Sequence, residues 1–108
     1  MTDDGGRGWR DPGLLILISL AGGPRHGFGM LEDIEGFSGR RLGPGTLYGA
    51  LERLERDGLV EPLEADDRRR PYRLSDQGSR VLDERLGGLQ RLTEVAATRR
   101  NQSRATQR

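Results

Sequence analysis

Six of the seven residues at positions 14–20 are leucine or isoleucine. Such a run covers every side of a helix, so the first predicted helix is buried all round. Asp11-Pro12 supplies an N-cap and a proline at the first helical position, and Gly22-Gly23-Pro24 ends the helix. Phe28, Leu31 and Ile34 then recur at intervals of three, which predicts a short second helix over about 27–35 with a single apolar stripe. A turn region carrying Arg40 and Arg41 leads to a third helix over about 44–57. Its buried side is Leu47, Leu51 and Leu54, with Ala50 beside them, and Gly58 is its stop.

After Gly58 the period changes. Residues 59–64 and 71–74 read as two strands joined by a polar tip at 65–70. Pro62 places the first of them at an edge or a bulge. A two-stranded ribbon is not stable alone, so it must lean on the helices. Ser75 is the cap of a last helix, in which Leu82, Leu86, Leu89 and Ala96 fall near a period of seven over two, the spacing of a helix-pairing seam. Gly87-Gly88 interrupts that seam at a cost of about 1 kcal/mol per glycine. From Arg99 the tail RRNQSRATQR carries four arginines and no acid, and is expected to be disordered. Three helices, a ribbon and a further helix make a mainly α chain with a small β-ribbon: a winged helix-turn-helix followed by a C-terminal dimerisation helix. The expected divisions are a flexible arm at 1–10, the winged domain at 11–74, the dimerisation helix at 75–98 and the tail at 99–108.

Composition narrows the function. The 108 residues make one domain of ordinary size, but only 32% are apolar, 17 are glycine and the mean hydropathy is −0.74. Part of the core is therefore expected from a partner subunit. There is no cysteine and one histidine, His26, which removes thiolate metal sites, cysteine nucleophiles and most Ser-His-Asp chemistry. His26 is read as a structural residue of the turn, and no metal or cofactor is expected. No apolar run approaches the ~20 residues of a membrane span, and the acidic, glycine-rich start is unlike a signal peptide, so a cytoplasmic location is expected. Gly43-Pro44-Gly45 is followed by Gly49 one residue too late for G-x-G-x-x-G, and without lysine there is no P-loop. Carboxylates are plentiful but sit beside arginines with no nucleophile, so an enzyme is not expected.

The net charge is only +1, yet all 18 basic residues are arginine. Position therefore carries the argument. His26-Gly27-Phe28, the segment GTLYGALERLERDGLV at 45–60, and RPYRLSDQG at 70–78 together resemble the PadR family of bacterial transcriptional regulators, over about 14–92. The resemblance implies a homodimeric DNA-binding repressor whose last helix pairs with a second copy. It also implies, in some members, release from DNA by a small hydrophobic or phenolic effector. The sequence departs from the family pattern at Gly29, at Gly49 inside the third helix, and at the acidic pair Asp66-Asp67 on the wing tip.

On the third helix Gly45, Gly49, Glu52, Arg53 and Arg56 lie opposite the apolar side, with Thr46 and Tyr48 on the flanks. Its N-terminal half is the part a helix-turn-helix places in the major groove. Gly45 and Gly49 admit close approach, and Thr46 suits a thymine methyl or a phosphate. Tyr48 either donates to a phosphate or packs between helices. Arg53 either reaches DNA or pairs with Asp57 or Glu52. Arg40 and Arg41 suit phosphate anchoring, and Arg68, Arg69, Arg70 and Arg73 form a basic wing. The expected dimer interface is Leu14, Leu15, Ile18, Leu82, Leu86 and Leu89. The candidate effector contacts are Trp9, Leu15 and Leu89, Trp9 serving alternatively as a cover for the first helix. The expected partners are double-stranded DNA, a second copy of the chain and a small hydrophobic effector. The competing reading is a winged-helix module that binds another protein, which Glu52 and Asp66-Asp67 favour.

Overall fold

Helix α1 (Pro12–Ala21) is the hub of the molecule. Gly13, Leu14, Leu15, Ile16, Leu17, Ser19 and Leu20 are all buried, as a helix without a polar face requires. It packs on α2 (Gly27–Ser38), α3 (Pro44–Arg56) and α4 (Asp76–Thr106), and on one strand of a small sheet. The computed structural model describes residues 10–106, so the first nine residues, Trp9 included, lie outside the described part. The architecture is mostly helical with a three-stranded antiparallel sheet, which is a winged helix-turn-helix followed by a long helix.

The sheet has one strand more than the ribbon expected from sequence. β1 (Arg25–His26) pairs with β3 (Pro71–Leu74), which also pairs with β2 (Val60–Pro62), in the order β1-β3-β2. Arg25 stands opposite Tyr72 and His26 opposite Pro71, while Glu61 faces Arg73 and Pro62 faces Tyr72. Pro62 thus lies on an edge strand, where its missing N–H is tolerated. The third strand ties the wing to the start of α2.

Two helix starts differ in chemistry. Ser75 caps α4: its Oγ accepts from Gly78 N–H at 2.9 Å and donates to the Gly58 carbonyl at 2.6 Å. Gly78 sits against the residue before β2, so close that a β-carbon there would overlap the Leu59 carbonyl. Asp11 holds the N-cap position of α1, but its carboxylate makes no cap. It accepts from Arg85 Nη1 of α4 at 3.2 Å instead, joining the head to the last helix.

Three expectations are corrected. In α2 the buried positions are Gly27, Met30 and Ile34, while Phe28 is 64% exposed. The stripe is rotated by one residue, and Phe28 faces the wing side rather than the core. The last helix does not stop near residue 98: it continues through Gly87-Gly88 and on to Thr106. Leu14, Leu15 and Leu82 belong to the chain's own core, each at most 4% exposed, so they offer no surface to a second copy. Ile18 and Leu89 are half-buried against that core, and Leu86 alone of the six expected dimer residues is exposed.

Candidate nucleic-acid interface

The wing and the front of α3 meet in an open cleft of about 240 Å³. It is lined by His26, Gly27, Phe28, Tyr48, Arg68, Arg69, Arg70 and Tyr72. Each element has a local reason to be there. Pro44 at the first turn starts α3 straight after the extended Gly43, and Leu42, buried between α2 and α3, anchors the turn before it. Leu47, Ala50 and Leu51 bury one side of α3. Gly45 and Thr46 are left exposed at its start, with Gly49 half-buried one turn on. Tyr48, 50% exposed, leans over the start of α2, where a β-carbon on Gly27 would overlap its hydroxyl. A glycine is therefore required at position 27 for Tyr48 to lie where it does.

The wing turn is tight. Asp66 and Arg69 exchange both backbone hydrogen bonds, at 2.6 and 2.9 Å, with Asp67 and Arg68 between them at φ of 54° and 70°. This is the two-residue turn that suits a twisted hairpin, and it ordinarily takes Asn-Gly or Asp-Gly. Arg70 Nη1 donates to the Leu63 carbonyl at 3.3 Å, bracing the hairpin. Arg73 is held across the sheet by Glu61 at 2.9 Å and lies outside the cleft. Tyr72, half-buried, has its phenol pushed above the ordinary 10.0, first by burial and then by the Glu55 carboxylate, with Arg70 pulling the other way. It is therefore a protonated donor at any physiological pH. His26 Nε2 is buried with no hydrogen-bond partner among the described residues.

Of the residues expected on DNA, Tyr48, Arg68, Arg69 and Arg70 come together in this cleft. Gly45, Thr46 and Gly49 continue from it along α3. Arg40 and Arg41 stand apart on the α2–α3 loop. The Arg40 guanidinium donates to the Arg10 carbonyl, and Arg41 pairs with Glu35 at 3.6 Å. Arg53 lies about 140° around α3 from Tyr48. It lines a separate cleft with Asp11, Asp57 and Arg85, on the side of α3 away from the wing. Sequence reasoning missed Phe28 and Tyr72. Both were visible as two of the five aromatic residues, but the three-residue stripe placed Phe28 in the core. Among the described residues no group of acids and histidine is arranged to hold a metal ion, and no helix is long and apolar enough to cross a membrane.

Comparison with known proteins agrees with this geometry. The model of the transcriptional regulator PadR-like family matches residues 16–84. The chain is 47% identical over 83 residues to an uncharacterized 37.1 kDa protein in transposon TN4556 of Streptomyces fradiae; the match covers 77% of this chain and 24% of that protein, so the chain spans about a quarter of this relative's length. It is 39% identical over 82 residues to the transcriptional regulator Rv3488 of Mycobacterium tuberculosis, covering 73% of this chain and 76% of that one. The solved structure of a transcriptional regulator from Clostridium thermocellum shares the fold, with a TM-score of 0.72 and 23% identity over 91% of this chain and 96% of the other. With the family pattern running from inside α1 to the first turns of α4, the chain belongs to the PadR-like family of transcriptional regulators.

Proposed function

We propose that the chain acts as a homodimeric, sequence-specific DNA-binding repressor. The family is one of DNA-binding regulators rather than enzymes. The observation that carries the finer reading is the exposed, small-residue start of α3 beside three wing arginines. Gly45, Thr46 and Gly49 leave the helix thin enough to lie against base edges, and Arg68, Arg69 and Arg70 flank it with charge for the backbone. Repression follows from occupancy: a dimer seated on two half-sites covers a promoter.

Dimerisation falls to α4, which presents Leu86, Leu92 and Val95 to solvent. An effector, where one acts, has room beside Leu89. That residue lines a cleft of about 370 Å³ with Leu14, Arg85, Gly88, Arg91 and Leu92, between α1 and α4. Leu15 does not line it.

The test is selection of bound duplexes from a random pool at fixed salt. The expected product is a palindrome with half-sites about one helical turn, or roughly 34 Å, apart. Recovery of unselected sequence, or of a single asymmetric site, overturns the reading. Repression itself is read with a reporter placed behind the selected site, whose output is expected to fall when the protein is supplied.

A further inference from the structure

We infer that the cleft between α3 and the wing seats one sugar–phosphate unit of the DNA backbone, with Phe28 as its apolar floor and Tyr48 and Tyr72 as its hydrogen-bond donors. This rests on the reading of the chain as a DNA-binding protein and adds a residue, Phe28, and a mode of contact to it.

The cleft combines two chemistries that rarely share so small a space. Three aromatic rings give it apolar walls, and three successive arginines give it charge. The bases of an intact duplex stay stacked inside the helix, so they are not what a surface cleft receives. The exposed outer part of a duplex is its backbone, an alternation of apolar deoxyribose and anionic phosphate. Phe28 matches the first half of that pattern. It is the most exposed aromatic among the described residues, and it lies beside Tyr48 rather than on the core where its helix would otherwise bury it.

The second half of the pattern is met by donors. The Tyr48 hydroxyl is held over Gly27, and the Tyr72 phenol stays protonated. Arg70 is already braced on Leu63, so its guanidinium is pre-placed beside them. Glu55 is the acid whose charge reaches Tyr72, and it opposes an anion there. The wing acids Glu64, Asp66 and Asp67 do not line the cleft.

The seat makes a prediction that the basic wing alone does not. Neutral residues must matter, and they must matter without counterion release. The probe is a fluorescein-labelled duplex of about 30 base pairs, in two unrelated sequences, titrated with the full chain by anisotropy across a salt series. Phe28→Ala and Tyr48→Phe are each expected to weaken binding about tenfold, by the same factor on both duplexes, with the slope of log K against log salt unchanged. Arg69→Ala is expected to weaken binding and flatten that slope by about 0.9 for each phosphate left without its cation. Phe28→Tyr keeps the ring and is expected to bind like the parent, which guards against a folding defect in the alanine variant.

Parent-like binding by both Phe28→Ala and Tyr48→Phe would sink the seat while leaving DNA binding intact. A loss confined to one duplex would mean base contact and would sink it too. Failure of the parent chain to bind either duplex would overturn the seat together with the function it rests on.

Discussion

Two residues on the wing tip hold a backbone conformation that their side chains resist. Asp67 and Arg68 sit at φ of 54° and 70° inside a turn closed by Asp66 and Arg69. A left-handed residue with a β-carbon costs roughly 1–2 kcal/mol, while glycine in its place costs about 0.5–1 kcal/mol in unfolded-chain entropy. Arg68→Gly is therefore expected to stabilise the fold by about 0.5 to 1 kcal/mol, read as a rise in the urea midpoint. The same change removes a cation from the cleft rim, so DNA affinity is expected to fall as stability rises. A variant that gains both would remove Arg68 from the interface. Tyr72 offers a second test at this scale. Its phenol is raised in the folded chain above the 10.0 it takes when unfolded. Its contribution to stability is thus complete below pH 10 and is lost as pH rises through the folded value. Glu55→Gln removes one of the raising causes, so the Tyr72 titration followed by ultraviolet absorbance is expected to move down toward 10.0. Duplex binding is expected to tighten in the same variant.

At the scale of elements, one polar cluster ties α2 to α1 and β1. Ser19 of α1, only 2% exposed, donates to Asp33 Oδ2 of α2 at 2.7 Å. Arg25 of β1 approaches the same oxygen at 3.5 Å and donates to the Ser19 carbonyl at 3.2 Å. Three elements meet on one carboxylate. Asp33→Ala leaves the buried Ser19 hydroxyl without that acceptor and is expected to cost about 1–3 kcal/mol in urea denaturation. Ser19→Ala removes the hydroxyl itself and is expected to cost less.

This cluster also marks where reading the sequence stops. The helices of the head were legible from periodicity, proline and glycine punctuation, and the Ser75 cap was legible from residue type alone. β1 was not, because two residues paired only to β3 carry no period. The rotation of α2 was not, because stripes through 28, 31, 34 and through 27, 30, 34 look equally helical. What separates them is Gly27 lying under Tyr48, a contact between residues 21 positions apart in sequence. The arginines of the wing were legible as a cluster, whereas the withdrawal of Arg73 onto Glu61 depends on strand register.

At the scale of the molecule, α4 is longer than the head can hold. Its 31 residues span about 46 Å, and every residue from Arg91 to Thr106 is exposed. A lone helical segment of that length is marginal in water, and the glycine pair at 87–88 adds about 1 kcal/mol per residue against it. Leu92 at 68% exposure and Val95 at 48% are apolar side chains left largely open to solvent. Both the helical order and the apolar exposure are accounted for together if a second α4 lies along this stretch. Leu92→Glu with Val95→Glu places like charges on that face, and the pair is expected to convert a dimer to a monomer in sedimentation analysis. The head, whose core lies inward of residue 90, is expected to keep its helical signal apart from fraying of the arm. DNA binding then reports the coupling. A monomer neutralises the phosphates of one half-site, so its slope of log K against log salt is expected to fall to about half the parent value. A double variant that remains dimeric would place the partner surface elsewhere. One that becomes monomeric yet keeps the full slope would show that each head holds all its phosphates alone.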